Sequence, residues 1–169
     1  MKNFGFAWGI GGVLLLLIFA IFRLAPMALA LTGLPLTPWH WVALIFSVLY
    51  MGYAEGYKGF HLGFAPRVVS RANYLRDNPR AAHVILAPLF CMGYIYATKK
   101  RQLISFALTF MIICFISIAR ILPQPWRGIL DSGVVVGLTM GIISILYFLA
   151  LAIRNPDLIR VSAEVPGDT

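Results

Sequence analysis

Acid is scarce in this chain. Six Asp or Glu stand against fourteen Lys or Arg, a net charge of +8, and charged residues of both signs make up only 12% of its 169 residues. That scarcity leaves little material for a soluble domain beside the apolar segments. Cysteine is limited to Cys91 and Cys114, both inside apolar runs, where a thiol behaves as a small hydrophobe and defines no redox compartment. There is no CxxCH, paired-Cys or HExxH spacing. Low-complexity linkers are absent, as are internal repeats of the kind that build paired transporter halves. In a soluble protein the excess of base would raise the question of nucleic acid. Here no basic module stands apart from the apolar runs, so the expected partners are membrane lipids with anionic headgroups, not nucleic acid.

What the chain has in quantity is hydrophobic residues, 60% of the total, with a mean hydropathy of +0.85. They are concentrated in Phe6–Phe22, Trp39–Ala54, Leu103–Leu122 and Gly133–Ile153, with a shorter run at Ala81–Ala97. A bilayer core ~30 Å thick asks for ~20 apolar residues per helix. The expected fold is therefore an all-α, polytopic integral membrane helical bundle with four transmembrane helices, about 6–22, 39–58, 103–122 and 133–153. One membrane domain covers 1–153 and a polar C-terminal tail covers 154–169. Lys2 before an apolar core, with Ala28-Leu29-Ala30 beyond it, imitates a signal peptide; Arg23 interrupts the path to that cleavage site, which predicts a retained first helix. Trp8, Trp39 and Trp41 read as interface anchors, and Pro26, Pro35 and Pro38 predict an apolar interfacial loop over Leu24–Pro38. Asp131-Ser132 reads as the N-cap of the last helix, with Asp131 placed to pair with Arg120 or Arg127.

The stretch 66–78 differs in kind. Pro66 suits a first helical turn, Val68, Ala72 and Leu75 share one face, and Arg67, Arg71, Arg76 and Arg80 supply charge elsewhere. This predicts a short basic amphipathic helix in the interface, with those four arginines touching lipid headgroups. Ala81–Ala97 reads two ways, as a fifth span or as a re-entrant segment containing Pro88. If it spans, the basic residues divide eight to six between the two sides; if it dips in and returns, they divide eleven to three. Membrane insertion favours asymmetry, so four spans with both termini cytoplasmic, in the plasma (inner) membrane, is the expected topology.

Two constellations stand out. Gly133, Gly137 and Gly141 form a GxxxG packing face continued by Ser144, and a second face runs through Gly52, Gly56, Gly59 and Gly63, with Gly5 and Gly9 a weaker third. Such faces pack helices either within one subunit or between subunits. Glu55 is the one acid inside the main apolar runs, with Lys58, Tyr57 and His61 close behind it. Counted from Trp39, Glu55 lies ~24 Å into a ~30 Å core, which makes it an interfacial carboxylate for Lys58 to pair with rather than a mid-bilayer charge. His61 and His83 fall at one membrane face and His40 at the other, at boundaries rather than at the depth where haem is held, and no metal or cofactor is expected.

No motif specifies a reaction. The expectation is a non-catalytic subunit or oligomeric scaffold that packs through its glycine faces, as a homo-oligomer or with a membrane-protein partner. The alternative is a small transporter or channel using Glu55 and Lys58 near the cytoplasmic face, and a lipid-headgroup enzyme or b-type cytochrome comes third.

Overall fold

The computed structural model describes residues 2–154 and 161–166, and every regular element among them is helical. Three helices are long and apolar enough to cross a membrane, over Asn3–Gly33, Lys99–Ile121 and Trp126–Arg154, which fits an integral membrane protein. The first, α1 (Lys2–Leu29), continues through Pro26 into a 3-10 turn at Ala30–Gly33. The interfacial loop expected from Leu24 onward therefore begins later. A proline this near a helix end removes one N–H and strands one carbonyl, too little to stop an otherwise apolar helix.

Helix α2 (Pro38–Met51) has proline in its first turn, and the Thr37 N–H donates to His40 Nδ1 at 3.2 Å. It passes without a break into a π-helix (Gly52–Phe64) and then into α3 (Ala65–Asp77). Residues 38–77 are thus one helical run, where the sequence separates a span from a short interfacial helix. Val68, Ala72 and Leu75 of α3 are fully buried. In place of one helix at Ala81–Ala97 there are two of five residues, α4 (Ala81–Ile85) and α5 (Ala87–Cys91), with Pro88 in the first turn of α5. Five residues rise only ~7 Å, so neither crosses anything.

Helix α6 (Lys99–Ile121) is capped by Thr98, whose Oγ1 accepts from the Arg101 N–H at 3.4 Å, and it stops ahead of Pro123. Helix α7 (Trp126–Arg154) starts seven residues before the expected Gly133. Gln124 performs the capping, its Oε1 accepting from the Gly128 N–H at 3.1 Å. Asp131 and Ser132 therefore lie inside the helix instead of capping it: Asp131 pairs with Arg127 at 3.7 Å and Ser132 donates back to the Gly128 carbonyl at 2.7 Å.

The contacts set the directions of these helices. Along the seam between the 38–64 run and α7, Ser47 faces Gly133, Glu55 faces Gly137 and Phe60 faces Gly141, so the two run side by side in the same sense. Helix α1 runs against them. Its Gly5, Gly9 and Gly12 sit under Val84, Cys91 and Pro88 at one end, and Met27 and Leu31 lie over Gly128 at the other. The main core is at the α3–α5 end, where Val13, Val68, Leu75, Phe90, Cys91 and Ile145 are buried together with Ala163 and Val165 of the C-terminal segment. The expected free tail is thus docked over 161–165. Thr98 N–H donates to the Glu164 carbonyl at 2.8 Å and Ser70 Oγ to the Val161 carbonyl at 2.6 Å.

Candidate functional site

The seam between the 38–64 run and α7 holds Glu55, His61 and Ser144 of the polar groups the sequence singles out. Its closeness comes from glycine. A Cβ on Gly133 would lie 2.4 Å from Ser47 Oγ and 2.9 Å from the Ser47 carbonyl oxygen, one on Gly56 2.6 Å from Met140 Sδ, and one on Gly141 2.7 Å from the Phe60 ring. Gly133, Gly137 and Gly141 are buried against the 38–64 run and Gly52 and Gly56 against α7, whereas Gly59 is exposed and Gly59 and Gly63 meet only their own helical run. Ser47 spends its hydroxyl on the Ile129 carbonyl at 3.0 Å.

Glu55 is half-buried against Gly137. The expected Glu55–Lys58 ion pair does not form. Lys58 Nζ lies instead over the Tyr53 ring, 5.0 Å from its centre. The cause is the backbone: in a π-helix, bonds reach five residues on, so residues five apart share a side and residues three apart diverge. Tyr53, Tyr57 and His61 stack in sequence along the same stretch at 6.1 and 5.7 Å. Gly137, which Glu55 faces, lies ~16 Å along α7 from Trp126. Trp126 is level with the start of α2, since His40 packs edge-on against its ring at 5.1 Å.

One turn beyond Glu55, His61 Nδ1 and Ser144 Oγ are 3.2 Å apart, with Tyr147 and Phe148 packed on the imidazole. A groove of about 360 Å³ opens there between Tyr57, His61, Met140, Ile143 and Ser144. Its chemistry is limited. Ser144 is buried, and its neighbours in α7 have their N–H groups engaged in the helix, so no attacking hydroxyl faces a set of oxyanion donors. His61 and His83 belong to separate aromatic clusters, since His83 packs on Phe90 and Tyr96.

The arginines do not act as one lipid-facing set. Arg71 is 1% exposed, which overturns its placement on the lipid-contacting surface. Its Nε donates to the Phe90 carbonyl at 2.6 Å, Nη1 to Ala163 at 2.5 Å, and Nη2 to Ile95 and Tyr96 at 2.8 and 3.0 Å, while the guanidinium lies 4.4 Å over the Phe90 ring. Those carbonyls belong to the end of α5, the loop after it and the C-terminal segment, and a fork of fixed donors reaches all of them from one point. Burial pulls its pKa down to about 10, which leaves it charged at neutral pH. Beside it, burial pushes the Cys91 thiol up to about 12 against the pull of Arg71, so this cysteine is inert. Arg76 is paired with Asp77 at 3.8 Å and lies over the Phe6 ring, and Arg67 packs near Gly63. The sequence does not mark Arg101 and Glu164, which form an ion pair at 3.6 Å with Arg101 buried and Glu164 partly exposed. Nor does it mark Tyr96, whose φ of 47° is unusual for a bulky residue. Arg101 and Glu164 are 63 positions apart, and nothing local in the sequence links them.

No family model matches the chain, and no curated protein or solved structure is similar to it.

Proposed function

We propose that this is a four-pass plasma-membrane (inner-membrane) protein with a non-catalytic role, a subunit that associates with a second copy or another membrane protein through α6. The observation that carries this reading is the condition of α6. Only Arg101, Ser105 and Ala119 of its 23 residues are buried. Its hydrogen bonds to the rest of the chain come from its first half, Gln102 to the Tyr94 carbonyl, Ser105 to the Met92 carbonyl and Thr109 with the Tyr94 hydroxyl. Beyond Thr109 no helix among the described residues covers Phe110, Ile113, Cys114 or Ser117, all exposed. Helices in lipid are held by close packing, and a helix fastened chiefly at one end leaves that packing to a partner. The fourth pass is the 38–64 run. The topology is supported by the packing directions, which gather Arg67, Arg71, Arg76, Arg80, Lys99, Lys100, Arg101 and Arg154 at one end and Arg23, Arg120 and Arg127 at the other. The basic end is then cytoplasmic, with both termini.

Native Cys114 tests the partner directly, because it is the exposed cysteine and lies on α6. A membrane-permeant thiol cross-linker applied to whole cells should yield a discrete higher-mass species that persists in Cys91→Ala and vanishes in Cys114→Ala. Monomer alone in both would end the reading.

A second reading, a small transporter or channel, is favoured by one observation: Glu55, half-buried against Gly137, has no hydrogen-bond or ion-pair partner among the described residues. An intramembrane carboxylate in that position marks ion and proton pathways. Glu55→Gln separates the two. The subunit keeps its cross-linked species and its contribution to growth, whereas a transporter loses flux-linked growth with the assembly intact.

A further inference from the structure

Away from the seam, at the basic end, Tyr74, Asn78, Pro79, Arg80, His83 and Tyr96 line a pocket of about 250 Å³. Three separate segments build it: the end of α3 with the turn after it, α4, and the loop before α6. We propose that this pocket binds a phosphate group, carried by an anionic lipid headgroup or free in solution, with Arg80 and the Asn78 amide as its donors and His83 beside them.

The side chains argue for an anion. Arg80 has no carboxylate partner among the described residues and is held only over the Tyr96 ring, 5.3 Å from its centre. The nearest acid in sequence, Asp77, is paired with Arg76. His83 is clamped between Phe90 at 5.3 Å and Tyr96 at 4.8 Å, with its ring nitrogens making no hydrogen bond among the described residues. Burial, then Arg80, then Arg71 hold the His83 pKa below its ordinary value, so the pocket repels further positive charge and is relieved by a negative one. Asn78 Nδ2 reaches the Tyr74 carbonyl only at 3.4 Å, a bond weak enough to exchange.

The pocket is also held in shape at a cost. Tyr96 sits in the left-handed region, where a bulky side chain is disfavoured, and the hydrogen bond from Arg71 to its carbonyl keeps it there. The result is a ring presented to both Arg80 and His83. Position selects the ligand. Trp8 Nε1 donates to the Ile85 carbonyl, two residues past His83, and Trp8 is 40% exposed, so on the membrane reading above the pocket opens at headgroup height. A small polar pocket beside an arginine at that height suits a phosphate oxyanion.

The full chain in phosphatidylcholine nanodiscs doped with phosphatidylglycerol, examined by native mass spectrometry, should retain phosphatidylglycerol selectively. Arg80→Gln should weaken retention about tenfold, the scale of one charge-assisted contact. Arg76→Gln, at the same end but already paired, should leave it near wild type. Asn78→Asp, nearly isosteric, is a second variant that places a repelling charge in the pocket if Arg80→Gln does not fold. In pure phosphatidylcholine discs, inorganic phosphate should shift the His83 ring resonances in wild type and not in Arg80→Gln. Lipid retention without a phosphate shift assigns the lipid headgroup, and the reverse assigns free phosphate. Neither effect, or equal losses in Arg76→Gln and Arg80→Gln, overturns the site. The phosphate arm does not depend on topology, so its success survives failure of the membrane reading.

Discussion

Arg71 is the residue on which the basic end turns. A buried guanidinium is costly unless each donor is used, and this one reaches four carbonyls on α5, the following loop and the C-terminal segment. Arg71→Ala leaves the Ala163, Ile95 and Tyr96 carbonyls without this donor and a hole above Phe90, and should destabilise the fold by ~3 kcal/mol or more. Arg71→Lys keeps the charge but replaces a planar fork with a single ammonium, and should recover only part of the loss. Thermal melting in detergent reads the stability. Proteolysis of the C-terminal segment reads the mechanism, since 161–165 should be cut in both variants while wild type resists. The charge and helical register of Arg71 were legible in the sequence; its inward direction was not, because its acceptors lie 19 to 92 positions away.

At the scale of elements, the glycines explain why α7 can lie flat on the 38–64 run, and their spacing alone does not rank them. A Cβ on Gly133 meets backbone, the Ser47 carbonyl at 2.9 Å, which cannot rotate away. One on Gly137 meets Glu55 Oε2 at 3.2 Å, which can rotate away, and Glu55 Cβ at 3.3 Å, which asks only a few tenths of an ångström. Gly11 has nothing within 4 Å. Gly133→Ala should therefore cost ~1–3 kcal/mol. Gly137→Ala should be mild, and Gly11→Ala should stabilise α1 by up to ~1 kcal/mol through helix propensity. Melting the three variants in one detergent checks the order, and a Gly11→Ala loss as large as that of Gly133→Ala would refute it. Gly137→Leu should then weaken the monomer itself, since this face is spent within the chain. The π-helix at Gly52–Phe64 was not legible, because an α-helix and a π-helix draw on the same apolar, glycine-rich composition.

For the molecule as a whole, the directions of packing make a topological prediction. Labelling of single cysteines at Lys2 and Thr169, in a background free of native cysteine, should report both from the same side of the membrane as Lys99. Opposite sides for Lys2 and Thr169 would rule out four passes. Composition and hydropathy by themselves determined that the chain is helical and made of membrane-length apolar runs, because transfer to lipid depends on residue type and local length. They also determined the amphipathic face of α3, since a helical period is a local property. Only the tertiary structure decided that 38–77 is one run, that Ala81–Ala97 folds back as two short helices, that Gly133, Gly137 and Gly141 pack on Ser47, Glu55 and Phe60, and that the tail docks under Arg71. Each of these depends on which distant surface lies opposite, and separation along the chain holds no record of that.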